Sequence, residues 1–223
     1  TVNFTAGTVG GAGTLALNSL TANFAAAFTN TTTTLVPSNS TLNGPGTLTN
    51  AAGQTLTLTS STVAASMPLV NQGVLVVHGS SAINGLFTAA PGSTLRMEGS
   101  GVGTGTLTVA SGFTNDGLIE LTNNSANQPA TLTVTTGTLT NAATINVLAG
   151  GGARTINAQL DNQATGTLTL NQPLTLTQAG AAHTNSGTIN VTGADWTLTQ
   201  SGTTPSFTNT GTITIGATRT WTV

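Results

Sequence analysis

The chain reads as an all-β, single-domain parallel β-helix of about ten three-sided coils, each about 22 residues long, over residues 1–223. Three observations predict it. A phrase of a large apolar residue, Thr, Asn and a small or turn residue returns every 18 to 26 residues along the chain. Between its returns lie short runs in which apolar residues alternate with Thr or another polar residue, the period of a half-buried strand. Helical periodicity is missing, and with 28 Gly and 51 Thr among 223 residues, helix-weakening residues recur too often for a helix to form.

The first strand of each coil carries the phrase itself, as in Phe113-Thr114-Asn115-Asp116-Gly117, His183-Thr184-Asn185-Ser186-Gly187 and Phe207-Thr208-Asn209-Thr210-Gly211. Aligned on the Asn, the repeats give a column of Ala6, Asn30, Asn50, Asn71, Ala89, Asn115, Asn141, Asn162, Asn185 and Asn209. Two residues earlier stand Phe4, Phe28, Leu48, Leu69, Phe87, Phe113, Leu139, Leu160, His183 and Phe207, nine of the ten large and apolar. That column is predicted to stack in the interior, with His183 as a satisfied core histidine. The Asn column falls where the chain turns a corner. Asn tolerates left-handed backbone at a turn, and amides stacked one per coil can hydrogen-bond along the axis, as Asn ladders do in cross-β structures. The residue between the two columns, Thr in eight of ten repeats, is predicted to face solvent. Residues 1–45 hold the least regular coils.

The second strand follows the Asn, as in Thr55-Leu56-Thr57-Leu58, Ile145-Asn146-Val147 and Leu168-Thr169-Leu170. Its outward column runs Thr57, Val76, Arg96, Glu120, Asn146, Thr169, Asn190 and Thr214, which sets Arg96 one coil below Glu120. An exposed pair of this kind contributes about 0–1 kcal/mol. The third strand comes later in each repeat, as in Leu107-Thr108-Val109, Leu132-Thr133-Val134, Trp196-Thr197-Leu198 and Trp221-Thr222-Val223. Three strands in so short a repeat make one coil of a solenoid, because a propeller blade needs about 40–50 residues. At a rise of about 4.8 Å per coil, ten coils make a rod of roughly 48 Å.

Composition narrows the function. The chain has three Arg, no Lys and five acidic residues, for a formal net charge of −2. It lacks a basic face for nucleic-acid phosphates or an anionic membrane, and no apolar run reaches the roughly 18 residues of a membrane helix. Neither nucleic-acid binding nor membrane insertion is expected. With no Cys and two His, thiolate chemistry and Cys/His metal sites are excluded, and no cofactor is expected. Disorder is dismissed because 37% of residues are apolar and the net charge is small. The chain opens on Thr1 rather than Met, which reads as a processed start or a piece of a longer protein.

The Thr/Asn/Gly-rich coils, the Asn corner column and the absence of Cys resemble the right-handed parallel β-helix of bacterial surface proteins. Those include the filamentous-haemagglutinin-type passengers of two-partner secretion and the autotransporter adhesins. The resemblance covers nearly the whole chain as a pattern. It implies an extracellular or cell-surface module that serves as a stalk or fibre subunit in adhesion.

Four functional readings follow. The favoured one is a structural rod that associates end to end, since the terminal coils of a solenoid are open edges unless capped and little charge repulsion opposes association. Its expected partners are other copies or neighbouring domains of a longer surface protein, with a glycan or other surface as a further candidate. For glycans the sequence offers only eight aromatics, most assigned to the core, the 123–129 loop, and sequons at Asn3, Asn30, Asn39, Asn123 and Asn190. The alternative is binding to ice or another ordered surface through the outward Thr pairs Thr106/Thr108, Thr131/Thr133, Thr175/Thr177, Thr197/Thr199 and Thr220/Thr222, interrupted by Asn157, Pro173 and Asp195. Polysaccharide-degrading β-helix enzymes use clustered acids or paired carboxylates. Here Glu98, Asp116, Glu120, Asp161 and Asp195 are scattered, so catalysis is not expected, and Arg96, Glu98 and Glu120 form the one candidate charged patch. The Gly99–Gly103 run lacks a P-loop Lys and a following helix and reads as a turn.

Overall fold

The computed structural model describes residues 1–125 and 127–223, which form 26 β-strands and no helix. The strands pair in parallel, those between the end coils with counterparts one coil before and one coil after, into a β-solenoid of about 10 turns with ~22 residues per turn. Three faces repeat. The Asn face is built from strands such as Leu48–Asn50, Leu69–Asn71 and Ser206–Asn209. The second face includes Thr34–Ser38, Thr55–Thr59 and Thr144–Val147. The third includes Thr21–Phe24, Thr41–Asn43 and Trp196–Thr199. Four mid-chain strands are long enough to round a corner. Val74–Ile83 passes from the second face to the third, and Gly105–Asn115, Ala130–Asn141 and Arg154–Asn162 pass from the third to the Asn face.

The alternation seen in the sequence places one side chain in two inside. In Thr55–Thr59, Leu56 and Leu58 are fully buried while the three Thr point outward. Register then stacks like on like. On the second face Leu35, Leu56, Leu75, Leu95, Ile119, Ile145, Leu168, Ile189 and Ile213 form one continuous column. Each buried Leu or Ile contributes about 1.5–3 kcal/mol. In a solenoid those terms act mainly between neighbouring coils. Aromatic rings gather toward both ends of the core: Phe4 stacks on Phe24 at 4.6 Å and Trp196 on Trp221 at 4.9 Å.

One alignment is corrected. Val2–Phe4 pairs with Ala22–Phe24 on the third face, so Phe4 stands over Phe24 rather than in the column of Phe28, and Ala6 is not an Asn-column residue. The short Val-Asn-Phe alternation suits either face, and only the coil that follows decides between them.

Candidate functional site

The Asn column lies at the corner that leads from the Asn face to the second face, and its side chains point inward. Asn50, Asn71, Asn115, Asn141, Asn162 and Asn185 are fully buried, and Asn30 nearly so. Each amide nitrogen donates to the carbonyl oxygen of the next Asn: Asn30 to Asn50 at 2.8 Å, Asn50 to Asn71 at 2.7 Å, Asn115 to Asn141 at 2.8 Å, Asn141 to Asn162 at 2.7 Å, and Asn162 to Asn185 and Asn185 to Asn209 at 2.6 Å. The second amide hydrogen reaches a backbone carbonyl of the following coil, as from Asn50 to Val74 at 3.0 Å and from Asn115 to Thr144 at 3.0 Å. Ala89 occupies the column between Asn71 and Asn115 and divides the ladder into runs of three and five. The Asn-x-Gly turn of the phrase has its own cause. At Gly187 or Gly211 a Cβ would collide with a backbone carbonyl of the coil below.

The apolar column beside the ladder is interior, as expected. Phe28, Leu48, Leu69, Phe87, Phe113, Leu139 and Leu160 are buried, and Phe207 packs partly buried against Trp221. His183 takes its place in that column and is buried. Its Nδ1 accepts the backbone N–H of Leu160 at 3.1 Å. Burial without a counter-charge holds the imidazole below its ordinary pKa.

The charged patch lies on the second face. Arg96 sits directly beneath Glu120 in register, with Nε 2.7 Å from the carboxylate. The patch is larger than the sequence suggested. His78 Nε2 lies 2.8 Å from Glu98, and Asn124 also donates to Glu98 at 2.6 Å. His78 was missed because its partner lies 20 residues on, at a column position identifiable only once the coil length is known. Among the described residues no three His, Asp or Glu side chains come together as a metal site. Asp116 lies at the Asn corner of the coil that carries Glu120, four residues before it, while Asp161 and Asp195 lie on later coils, and Asp161 accepts the Thr184 hydroxyl.

The third-face Thr residues stack in two columns. Thr106, Thr131, Thr155, Thr175 and Thr197 form one, and Thr108, Thr133, Asn157, Thr177 and Thr199 the other. The last pair is corrected. Trp221 aligns with Trp196 and Thr222 with Thr197, so Thr220 falls outside both columns, beside Asp195. The 216–220 turn is one residue longer than its counterpart 192–195 in the preceding coil, which moves Trp221 rather than Thr220 into line with the third-face strand. Thr also stacks on the other faces: Thr144, Thr167, Thr188 and Thr212 on the second face, and Thr184 and Thr208 on the Asn face.

The corner between the second and third faces carries features that the sequence reading missed. In the early coils it turns through a single left-handed residue, Ser19, Asn39, Ser60 or Gly79. A buried Ser follows: Ser61 Oγ accepts the N–H of Ser40, and Ser81 Oγ that of Ser61, each at 3.1 Å. An outward Asn ladder, Asn3–Asn23–Asn43, runs along the third face of the same coils. Both were available as constant spacings of 20 or 21 residues. In the middle coils the corner lengthens into stacked loops pinned by Arg154. This buried guanidinium donates to the carbonyls of Gln128, Gly151 and Gly152 and to Asn123. No carboxylate pairs with it among the described residues.

These features define a parallel β-solenoid locked by a buried Asn ladder. Comparison with models of protein families, with curated proteins and with solved structures gave no match to the chain.

Proposed function

We propose that the chain is a structural module of an extracellular or cell-surface protein. In this reading it is a stiff, non-enzymatic stalk or fibre segment that associates end to end with other copies or neighbouring domains and serves adhesion. The observation that carries the reading is the stacking of like residues from coil to coil. Columns of like residues recur along a solenoid of about 10 turns, and Thr recurs at outward positions of all three faces. Strands Ser206–Asn209, Thr212–Ile215 and Trp221–Thr222 pair on one side only among the described residues, so a further coil or another copy would complete them. Negative-stain electron microscopy over a concentration series tests the proposal. Filaments one solenoid wide that lengthen with concentration support it. Isolated short rods at every concentration contradict end-to-end association.

A second reading is binding to ice or another ordered surface. The two registered Thr columns of the third face favour it, and the matching Thr columns on the other faces weigh toward Thr as the general outward strand residue. Inhibition of ice recrystallisation by the parent, lost on replacing Thr131 and Thr133 by Val or Tyr, is the test.

A further inference from the structure

We propose that His183 is an acid-sensitive joint: protonation of its imidazole uncouples the coils from Ala182 to Val223 from the rest of the rod, while the earlier coils stay stacked. The geometry is specific to this coil. Backbone pairing between Arg154–Asn162 and Ala182–Asn185 runs only through Asp161↔Thr184 and Asn162↔Asn185. One residue earlier the N–H of Leu160 is taken by the imidazole Nδ1 itself, at 3.1 Å. That bond requires the neutral tautomer with its hydrogen on Nε2. A proton on Nδ1 turns an acceptor into a donor facing another donor, and puts a charge in an apolar column between Leu160 and Phe207.

No neighbouring charge would stabilise the imidazolium. Ser206–Asn209, which pairs with the His183 strand, carries no titratable residue, and neither do Leu174–Thr177, Thr188–Val191 and Trp196–Thr199 on the other faces of the adjoining coils. On Arg154–Asn162, Asp161 points outward to Thr184, and Arg154 is held among the loop carbonyls at the far end of the strand. The folded protein therefore binds the proton less readily than the unfolded chain, in line with the lowered pKa of this group. The stabilisation is complete above the ordinary histidine value of about 6.5 and is lost as pH falls below it.

The loss should stay local. Solenoid coils are coupled to their nearest neighbours, and the segment beyond the joint is the least satisfied part of the core. Trp196 Nε1, Gln200 Nε2 and Trp221 Nε1 are three of the five buried side-chain polar atoms without a partner among the described residues. At neutral pH the Asn162–Asn185–Asn209 ladder holds the joint closed.

Hydrogen exchange of the full chain, read by mass spectrometry at pH 7.5 and 5.0 and corrected for the intrinsic pH dependence of exchange, tests this. The expected result is a loss of protection of at least tenfold in peptides within 182–223 at pH 5.0, with peptides within 14–100 unchanged. His183→Gln, which offers an oxygen acceptor that does not titrate, should abolish the response, and His78→Gln should keep it. His183→Phe, matching Phe113 and Phe207 in the same column, is the second variant and should also be flat. Equal protection of 182–223 at the two pH values in the parent overturns the proposal. So does an acid response that survives in His183→Gln or His183→Phe, or a loss spread evenly over the whole chain.

Discussion

Two corners of the same solenoid are held in different ways. The corner after the Asn face repeats one device on either side of Ala89, a buried amide that bonds the next amide and a carbonyl of the following coil. The corner between the second and third faces changes its device along the rod. It starts with left-handed single residues and stacked Ser hydroxyls, then lengthens into loops stapled by a buried guanidinium. The difference teaches where the fold tolerates change. A corner closed by a side-chain ladder favours one residue type, because each omitted member removes hydrogen-bond partners from a buried position, as where Ala89 leaves the Asn71 amide to donate to the Thr94 carbonyl alone. A corner closed by backbone conformation can lengthen, since loops at the surface accept insertion.

The largest effect strikes the core beside the Asn corner. Phe113→Asp places a carboxylate in the apolar column next to the ladder and should cost at least about 4 kcal/mol. Thermal unfolding monitored by circular dichroism should show a collapse of the transition, and a variant that melts like the parent would mean that Phe113 does not face inward. Next comes Gly187→Ala at the Asn corner, where a Cβ meets the carbonyl of Gly166. About 1–3 kcal/mol is expected from such overpacking, seen as a lower urea midpoint. Asn141→Ala leaves the amide of Asn115 and the carbonyl oxygen of Asn162 short of a partner, for roughly 2 kcal/mol. The equivalent loss at the other corner, Ser61→Ala, removes the acceptor of the Ser40 N–H and the donor to the Thr59 carbonyl and should cost about 1 kcal/mol, so the ratio of the two measures how unequal the corners are. The smallest change has the opposite sign. Ala89→Asn joins the two runs of the ladder and should stabilise by about 0.5–1 kcal/mol.

The same contrast explains what could be read from the sequence. The Asn ladder, the apolar column and the placing of Arg96 beneath Glu120 were legible because identical residues at a near-constant spacing state their register directly. Phe4 was misplaced because its short alternation suits either face, and Thr220 because the 216–220 turn changes length and pattern matching carries the previous coil's spacing across it. The pairing of His78 with Glu98 and the burial of Arg154 stayed hidden because each residue type occurs once in its column. Their partners become visible only when the coils are stacked.

The central claim is that buried like-on-like columns, above all the Asn ladder, lock the coils in register. Side-chain amide exchange of Asn in a ¹⁵N-labelled sample tests it most directly. The side-chain amide hydrogens of Asn50, Asn141 and Asn162 should exchange at least a hundredfold more slowly than those of Asn190, which points outward. Exchange of all four at the rate of a free amide would contradict the ladder and, with it, the register of the rod.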